Sequence, residues 1–477
     1  MIGSLQAASP LLVLAAAVAV LMAVIAIRRG HVVASSVCAI GLAVALLCVP
    51  WAEQAQGGPA VSLFIFDALS LGLIGVILLA SLAVLVLGYG YWTPMAAIPR
   101  EEYPLLLLLA TLGAVAMAAS SSFLTLFLGL ETMTLAIIGM IAYPRFRPEA
   151  EEAGLKYLAL SGVSSAFVLF GIGLIELSTG SLDLVPELSH LSGDPLDRQM
   201  LLAGLAMIAV GAGFKLSVVP FHIWVPDIYA GAPAPSGAYV AVISKIAVLA
   251  VIMRVLASPL VTLSGGVIGA VTLVAILSMV IGNLLALLQE NLKRILGYSS
   301  IAHFGYLLVA LLAADAIGRV ALVFYLVMYA ITVIAAFGVV SVLSGGEQPR
   351  DLDQVDDLRG LFWTRPAVAA IMTLALLSLA GIPPAIGFIA KMYILAAAVH
   401  TELWLLTSVM VVGSVIGLFY YLRIIIVMSL KPDGATTRFL HVLPLPGGIA
   451  IVCLTIPLVV FGIAPQPLIS LLKSVLG

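Results

Sequence analysis

The sequence has 477 residues, 63% apolar and 9% charged, against roughly half apolar and a quarter charged in soluble domains, which excludes a water-soluble globular enzyme. Twenty-one Lys and Arg against 23 Asp and Glu give a net charge of −2, so there is no basic surface for a nucleic acid. Cys38, Cys48 and Cys453 sit in apolar runs without a CxxC or Cys/His partner, which supports neither a disulfide framework nor a metal or iron–sulfur site.

A bilayer span takes roughly 20 apolar residues. Runs of that kind recur at 10–27, 32–49, 65–91, 104–119, 121–142, 154–177, 200–232, 236–257, 263–288, 296–313, 319–343, 366–399, 403–428 and 446–472. They predict an all-α polytopic membrane protein of about 14 transmembrane helices. Residues 1–10 carry no basic side chain, and Arg28 and Arg29 follow the first run. That order is the reverse of a secretory signal, so the first span is expected to be retained with its N-terminus away from the cytoplasm.

Basic side chains in short loops stay cytoplasmic. Alternate loops hold thirteen of them, from Arg28 and Arg29 to Lys431 and Arg438, whereas the opposite loops and the tail hold only Arg198, Arg319 and Lys473. One span too many or too few would scramble that division, so both termini are expected on the periplasmic side.

Five basic residues fall inside spans: Lys215, Lys245, Arg254, Lys391 and Arg423. An ionisable group at the bilayer centre costs at least about 2.5–3.5 kcal/mol and usually faces a bundle interior or wet cavity where it has a function. Glu131, in FLGLETMTLAIIGM, lies about ten residues or 15 Å from either end of its span, with neutralisation by protonation as the bland alternative. Lys245, in SGAYVAVISKIAVLAVI, is nearly as deep. Arg254 and Arg423 lie nearer span ends, where the side chain reaches the interface.

Lys215 and Lys391 sit in VGAGFKLSVVPFHIWVPDIYAGAPAPSG and LSLAGIPPAIGFIAKMYIL, where glycine and proline should break the helix. Broken backbone at membrane depth is tolerated only where protein or a water-filled cavity covers it. These lysines either belong to an ion path or satisfy carbonyls freed by the breaks. The break comes fourth within spans 4–8 and fourth within spans 9–13, and five spans is an odd number, which predicts two inverted five-helix repeats. The expected organisation is three N-terminal spans (1–103), a first repeat (104–257), a second repeat (258–429) and a C-terminal span (430–477).

His303, in YSSIAHFGYLL with Ser299, Ser300 and Tyr306 nearby, could bridge the halves, since both imidazole nitrogens can pass protons; a satisfied structural histidine is the alternative. His222 and Asp227 are expected to partner the first break. The acidic run from Asp351 to Asp357 is expected to be a solvated cytoplasmic loop or docking surface.

Four segments, GFKLSVVPFHIWVPDIYAGAPAPSGAYVAVISKIA, NLKRILGYSSIAHFGYLL, LLSLAGIPPAIGFIAKMY and EEAGLKYLALSGVSSAFVLFGIGLI, resemble the antiporter-like membrane subunits of respiratory complex I, the proton-pumping NADH:quinone oxidoreductase. The resemblance runs from about Pro104 to Arg423. The GAPAP run alone also fits the large subunits of Mrp-type cation/proton antiporters. The lysine after AGIPPxxGF is similar to subunit N of the bacterial enzyme, and no room is seen for the lateral helix of subunit L. By this resemblance Glu131, Lys215, Lys245, His303 and Lys391 transfer protons, Glu131 pairs with Lys215, and quinone is reduced elsewhere. It places FMN, iron–sulfur clusters and quinone on other subunits, with no cofactor in this chain, and it implies other membrane-arm subunits as partners in a bacterial inner membrane. No dinucleotide fingerprint or cysteine ligand cluster is present to contradict this. The competing readings are an Mrp-type antiporter subunit and a structural scaffold with idle charges.

Overall fold

The computed structural model describes residues 2–55, 63–95, 98–185, 195–256, 265–313, 315–344, 350–431 and 445–476. Its helices are α1 Ile2–Ala7, α2 Ser9–Ile27, α3 His31–Glu53, α4 Ala68–Trp92, α5 Glu102–Ala118, α6 Phe123–Ile141, α7 Pro148–Thr179, α8 Pro195–Leu216, α9 Val225–Gly231 and α10 Ala234–Leu256. They continue with α11 Gly265–Leu287, α12 Leu292–Ala313, α13 Ala316–Leu343, α14 Leu361–Thr364, α15 Pro366–Ala380, α16 Ile386–His400, α17 Trp404–Ser429, α18 Leu445–Ile463 and α19 Gln466–Leu476. Among the described residues, β-structure is limited to three isolated bridges.

Each of the fourteen apolar runs contains helix among its described residues. Twelve helices among the described residues are long and apolar enough to cross a membrane. The other two crossings are α5, with 17 residues, and the α15/α16 pair, which is broken in its middle. Several boundaries shift by a few residues, the largest being at α7, which begins at Pro148 rather than 154, and α8, which begins at Pro195 rather than 200. The last run divides at Ala464 and Pro465 into α18 and α19, because Pro465 cannot continue the helix and α19 buries only Leu468, Ile469 and Leu472.

Loop contacts test the alternation directly. On one face, residues 64 and 120 bridge, as do 122 and 183; Arg254 pairs with Asp67 at 2.7 Å and His400 with Asp315 at 2.9 Å. Gln6 donates to the Trp51 carbonyl there, and Val475 packs beside Gly72 in the first turn of α4. On the other face, Arg29 lies against Glu101, residues 291 and 354 bridge, and Arg359 donates to the Lys431 carbonyl. Each contact joins loops of the same parity, so α1 and α19 lie on one face and the number of crossings is even. Arg438, counted with the basic loops, lies outside the described residues.

The centre of the bundle is α10, α12 and α13, whose most apolar windows are 78%, 83% and 89% buried, against 22% for α18 and 28% for α2. Close approach needs small residues, since lipid tails are as apolar as leucine and helices associate by packing. A Cβ on Gly113 of α5 would lie 2.6 Å from the Gly129 carbonyl of α6, and one on Gly129 would lie 2.8 Å from the Gly113 carbonyl.

Candidate functional site

Both predicted breaks are present, and each satisfies its backbone differently. After α8, Ser217 adopts a left-handed conformation with φ of 65°. The Phe214 carbonyl accepts from Trp224 Nε1 at 3.0 Å, and Ser278 Oγ accepts from the Val219 N–H at 3.0 Å. Lys215 is therefore not spent on freed carbonyls. Its Nζ donates to Thr134 Oγ1 at 2.7 Å and to Tyr157 OH at 3.3 Å.

At the second break Gly381 ends α15 with φ of 83°, and Ser378 Oγ accepts from the Gly387 N–H at 3.2 Å. Here the lysine does bind a carbonyl: Lys391 Nζ donates to Ala380 O at 2.8 Å. It also lies 5.4 Å from the centroid of Tyr306. A Cβ on Gly381 would fall 2.7 Å from Lys391 Cδ, so this residue supplies both the turn and the space.

Between the breaks lies the polar centre. Lys245 is fully buried on α10 and donates to Ser300 Oγ at 2.5 Å, an oxygen that also accepts from Tyr329 OH at 2.8 Å. No carboxylate among the described residues lies within ion-pair distance of Lys245. His303, one turn along α12 from Ser300, places Nδ1 2.6 Å from Tyr325 OH and Nε2 3.3 Å from Tyr421 OH. Tyr421 OH lies 2.5 Å from Ser299 Oγ. Hydroxyls and imidazole both donate and accept, so this cluster can carry a proton by rotating its groups.

Three expectations change. Glu131 and Lys215 form no direct ion pair: Ser165 Oγ donates to Glu131 Oε1, while Thr134, one helical turn from Glu131, takes the amine. Glu131 is only partly buried, on the edge of the bundle. Asp227 caps no broken backbone; it pairs with Lys156 at 3.0 Å and Arg294 at 2.6 Å. The acidic run is not solvated, since Asp351, Asp353 and Asp357 are 2%, 4% and 5% exposed.

Residues 120–417 match the family described as NADH:quinone oxidoreductase/Mrp antiporter, TM. The chain belongs to this family. Among solved structures it is similar to a chain of respiratory complex I from Thermus thermophilus with bound aureothin, with 31% identity, TM-score 0.81 and coverage of 97% of this chain and 98% of that one. It is also similar to a chain of the membrane-bound sulfane sulfur reductase, an archaeal respiratory membrane complex, at 25% identity, TM-score 0.83 and coverage of 99% and 97%. A chain of the Mrp complex from Dietzia sp. DQ12-45-1b shares the fold, at 24% identity, TM-score 0.84 and coverage of 99% and 97%.

In this family member the buried acidic loop was missed by sequence reasoning. Asp351 accepts from Tyr91 OH at 2.6 Å, Arg147 at 3.0 Å, Lys293 at 2.9 Å and the Ala234 N–H at 3.0 Å. One carboxylate thus joins four other chain segments and sits at the N-terminus of the Lys245 helix, where negative charge is favoured. Burial alone would raise the Asp351 carboxyl, yet Lys293 and Arg147 hold it below its ordinary range. The charge run was visible in the sequence, but its burial was not. Tyr325 and Tyr329, four residues apart and so on one helix face, were a legible signal of a polar stripe on α13.

Proposed function

We propose that this chain is a proton-translocating membrane subunit of a bacterial NADH:quinone oxidoreductase, of the subunit N type. It moves protons through Glu131, Lys215, Lys245, His303 and Lys391 in coupling to quinone reduction on other subunits. The observation that carries the reading is the placement of Lys215, Lys245, His303 and Lys391, each at most 5% exposed, on the two broken helices and on the α10/α12 pair between them. Ionisable groups at such depth are costly to retain without a function.

The partial exposure of Glu131 suits a residue that answers to a neighbouring subunit. Its charge raises the local negative potential at Lys215 without touching it, so a change at the subunit boundary reaches the lysine through space. From there the hydroxyls around Lys245 and His303 lead towards Lys391. FMN, iron–sulfur clusters and quinone belong to other subunits in this reading. The chain lies in the inner membrane with both termini periplasmic, built from repeats at 104–257 and 258–429. The 31% identity over nearly the whole chain favours complex I over the Mrp assembly at 24%.

Purification from native membranes tests the assignment. Co-isolation with flavin and iron–sulfur subunits, together with a reduced NADH-driven proton-to-electron ratio in Lys245→Ala and Lys391→Ala complexes, supports it. Isolation with small membrane subunits alone, and no NADH oxidation, overturns it in favour of a free-standing antiporter.

A further inference from the structure

The helix α11 is almost wholly apolar, yet it buries an amide. Asn283 is 1% exposed, and a buried amide needs partners for two donors and its carbonyl. Nδ2 donates to the Met279 carbonyl at 2.7 Å and to Tyr306 OH at 3.0 Å, while Oδ1 accepts from Tyr420 OH at 3.1 Å. The Met279 carbonyl can only accept, so it fixes which end of the amide is nitrogen. Tyr306 OH must then accept from Asn283.

The neighbouring helix is shaped around this amide. A Cβ on Gly413 of α17 would lie 3.0 Å from Asn283 Nδ2 and 3.2 Å from Tyr306 OH; one on Gly417 would lie 3.3 Å from Asn283 Oδ1 and 3.4 Å from Tyr420 OH. These glycines are four residues apart and therefore on one face of α17, and together they form a slot that holds the amide and both phenols. The Tyr306 ring presents its face to Lys391 Nζ at 5.4 Å. An ammonium has three N–H groups, and among the described residues the Ala380 carbonyl is the hydrogen-bond partner of this one. The ring face supplies the remaining attraction through its quadrupole.

We propose that Asn283 is a positioning residue for Lys391, acting through Tyr306: the amide clamps the phenol so that its ring face seats the ammonium beside the second break. The inference rests on the transport role of Lys391 proposed above. The amide passes no proton itself, because its N–H protons do not titrate. Its part is to hold one ring in one place.

The test uses the assembled complex and four variants, Asn283→Leu, Tyr306→Phe, Lys391→Ala and the Asn283→Leu/Lys391→Ala double. Assembly, the structure around position 306 by electron cryomicroscopy, and the NADH-driven proton-to-electron ratio are measured. Asn283→Leu is expected to assemble, to release the Tyr306 ring from beneath Lys391, and to lower the ratio about twofold or more, with no further loss in the double variant, as for residues acting through one group. Tyr306→Phe, which keeps the ring but loses the hydroxyl that Asn283 holds, should show part of the same loss and serves if Asn283→Leu does not fold. A ring that stays in place, a normal ratio in either single variant at Asn283 or Tyr306, or additive losses in the double variant overturns the positioning role. A normal ratio in Lys391→Ala overturns the transport role of Lys391 and this inference with it, whereas a loss there beside a normal Asn283→Leu overturns this inference alone.

Discussion

Asp351→Asn is the sharpest perturbation of the fold. The carboxylate is buried and serves two cations, Arg147 and Lys293, at 3.0 and 2.9 Å, both nearly inaccessible to solvent. Asparagine keeps the shape but removes the negative charge that Arg147 and Lys293 share, leaving Lys293 with the longer Asp353 pair at 3.3 Å, and removing one partner of a buried pair costs about 3–5 kcal/mol. That is a large part of the roughly 5–15 kcal/mol that holds a domain together. The contrast is Arg350→Gln: its guanidinium pairs with Asp357 at 2.7 Å but is 52% exposed, so about 0–1 kcal/mol is expected. Detergent unfolding followed by tryptophan fluorescence suits the measurement, since Trp92, next to Tyr91, is fully buried.

The pH dependence has a definite sign. The folded-state Asp351 lies below its ordinary value of 3.8, so its stabilisation is complete above that value and is lost as pH falls through the lower folded value, where the unfolded chain has already bound its proton. Wild type should weaken in that acid window and Asp351→Asn should lack this contribution. An Asp351→Asn variant within about 1 kcal/mol of wild type at neutral pH would refute the reasoning, because a buried pair cannot lose a partner that cheaply.

Three other outcomes are expected. Glu131→Gln keeps the Ser165 hydrogen bond but removes the charge, and should lower coupled pumping more than Glu131→Asp; beyond contact distance the lost interaction with Lys215 is below the about 4 kcal/mol of a 4 Å pair at an effective dielectric of 20. A Gln variant as active as wild type with Asp impaired would mean that Glu131 only packs. Gly387→Ala should abolish assembly, because its Cβ would run into the Ser378 carbonyl, beyond the about 1–3 kcal/mol of ordinary overpacking; normal membrane yield would contradict the tight second break. A cysteine placed after Lys473 and one at Gln6 should react with an impermeant reagent from the same face, the periplasmic one in intact spheroplasts, and labelling from opposite faces would overturn the even number of crossings.

The sequence by itself determined the crossings, their alternation and the two breaks. Each depends on a local property: a hydrocarbon slab requires about 20 apolar residues per crossing, the Lys/Arg bias acts loop by loop, and glycine and proline clustered in one stretch break a helix, whereas the single Pro50 and Pro457 sit inside continuous helices. The depth of Lys245 was legible for the same reason, as distance along a helix. The tertiary structure alone decided which groups meet. Glu131 and Lys215 share a depth, yet Ser165 and Thr134 take their polar atoms, because side-chain partners depend on how α6, α7 and α8 rotate against each other. The acidic run looked like a wet loop, since composition does not reveal that Arg147, Lys293 and the start of α10 converge on Asp351 from segments 58 to 204 residues away. Asn283 gave no signal in an apolar helix; its meaning comes from two glycines of α17 that make room for an amide and two phenols, a complementarity that exists only after the helices have packed.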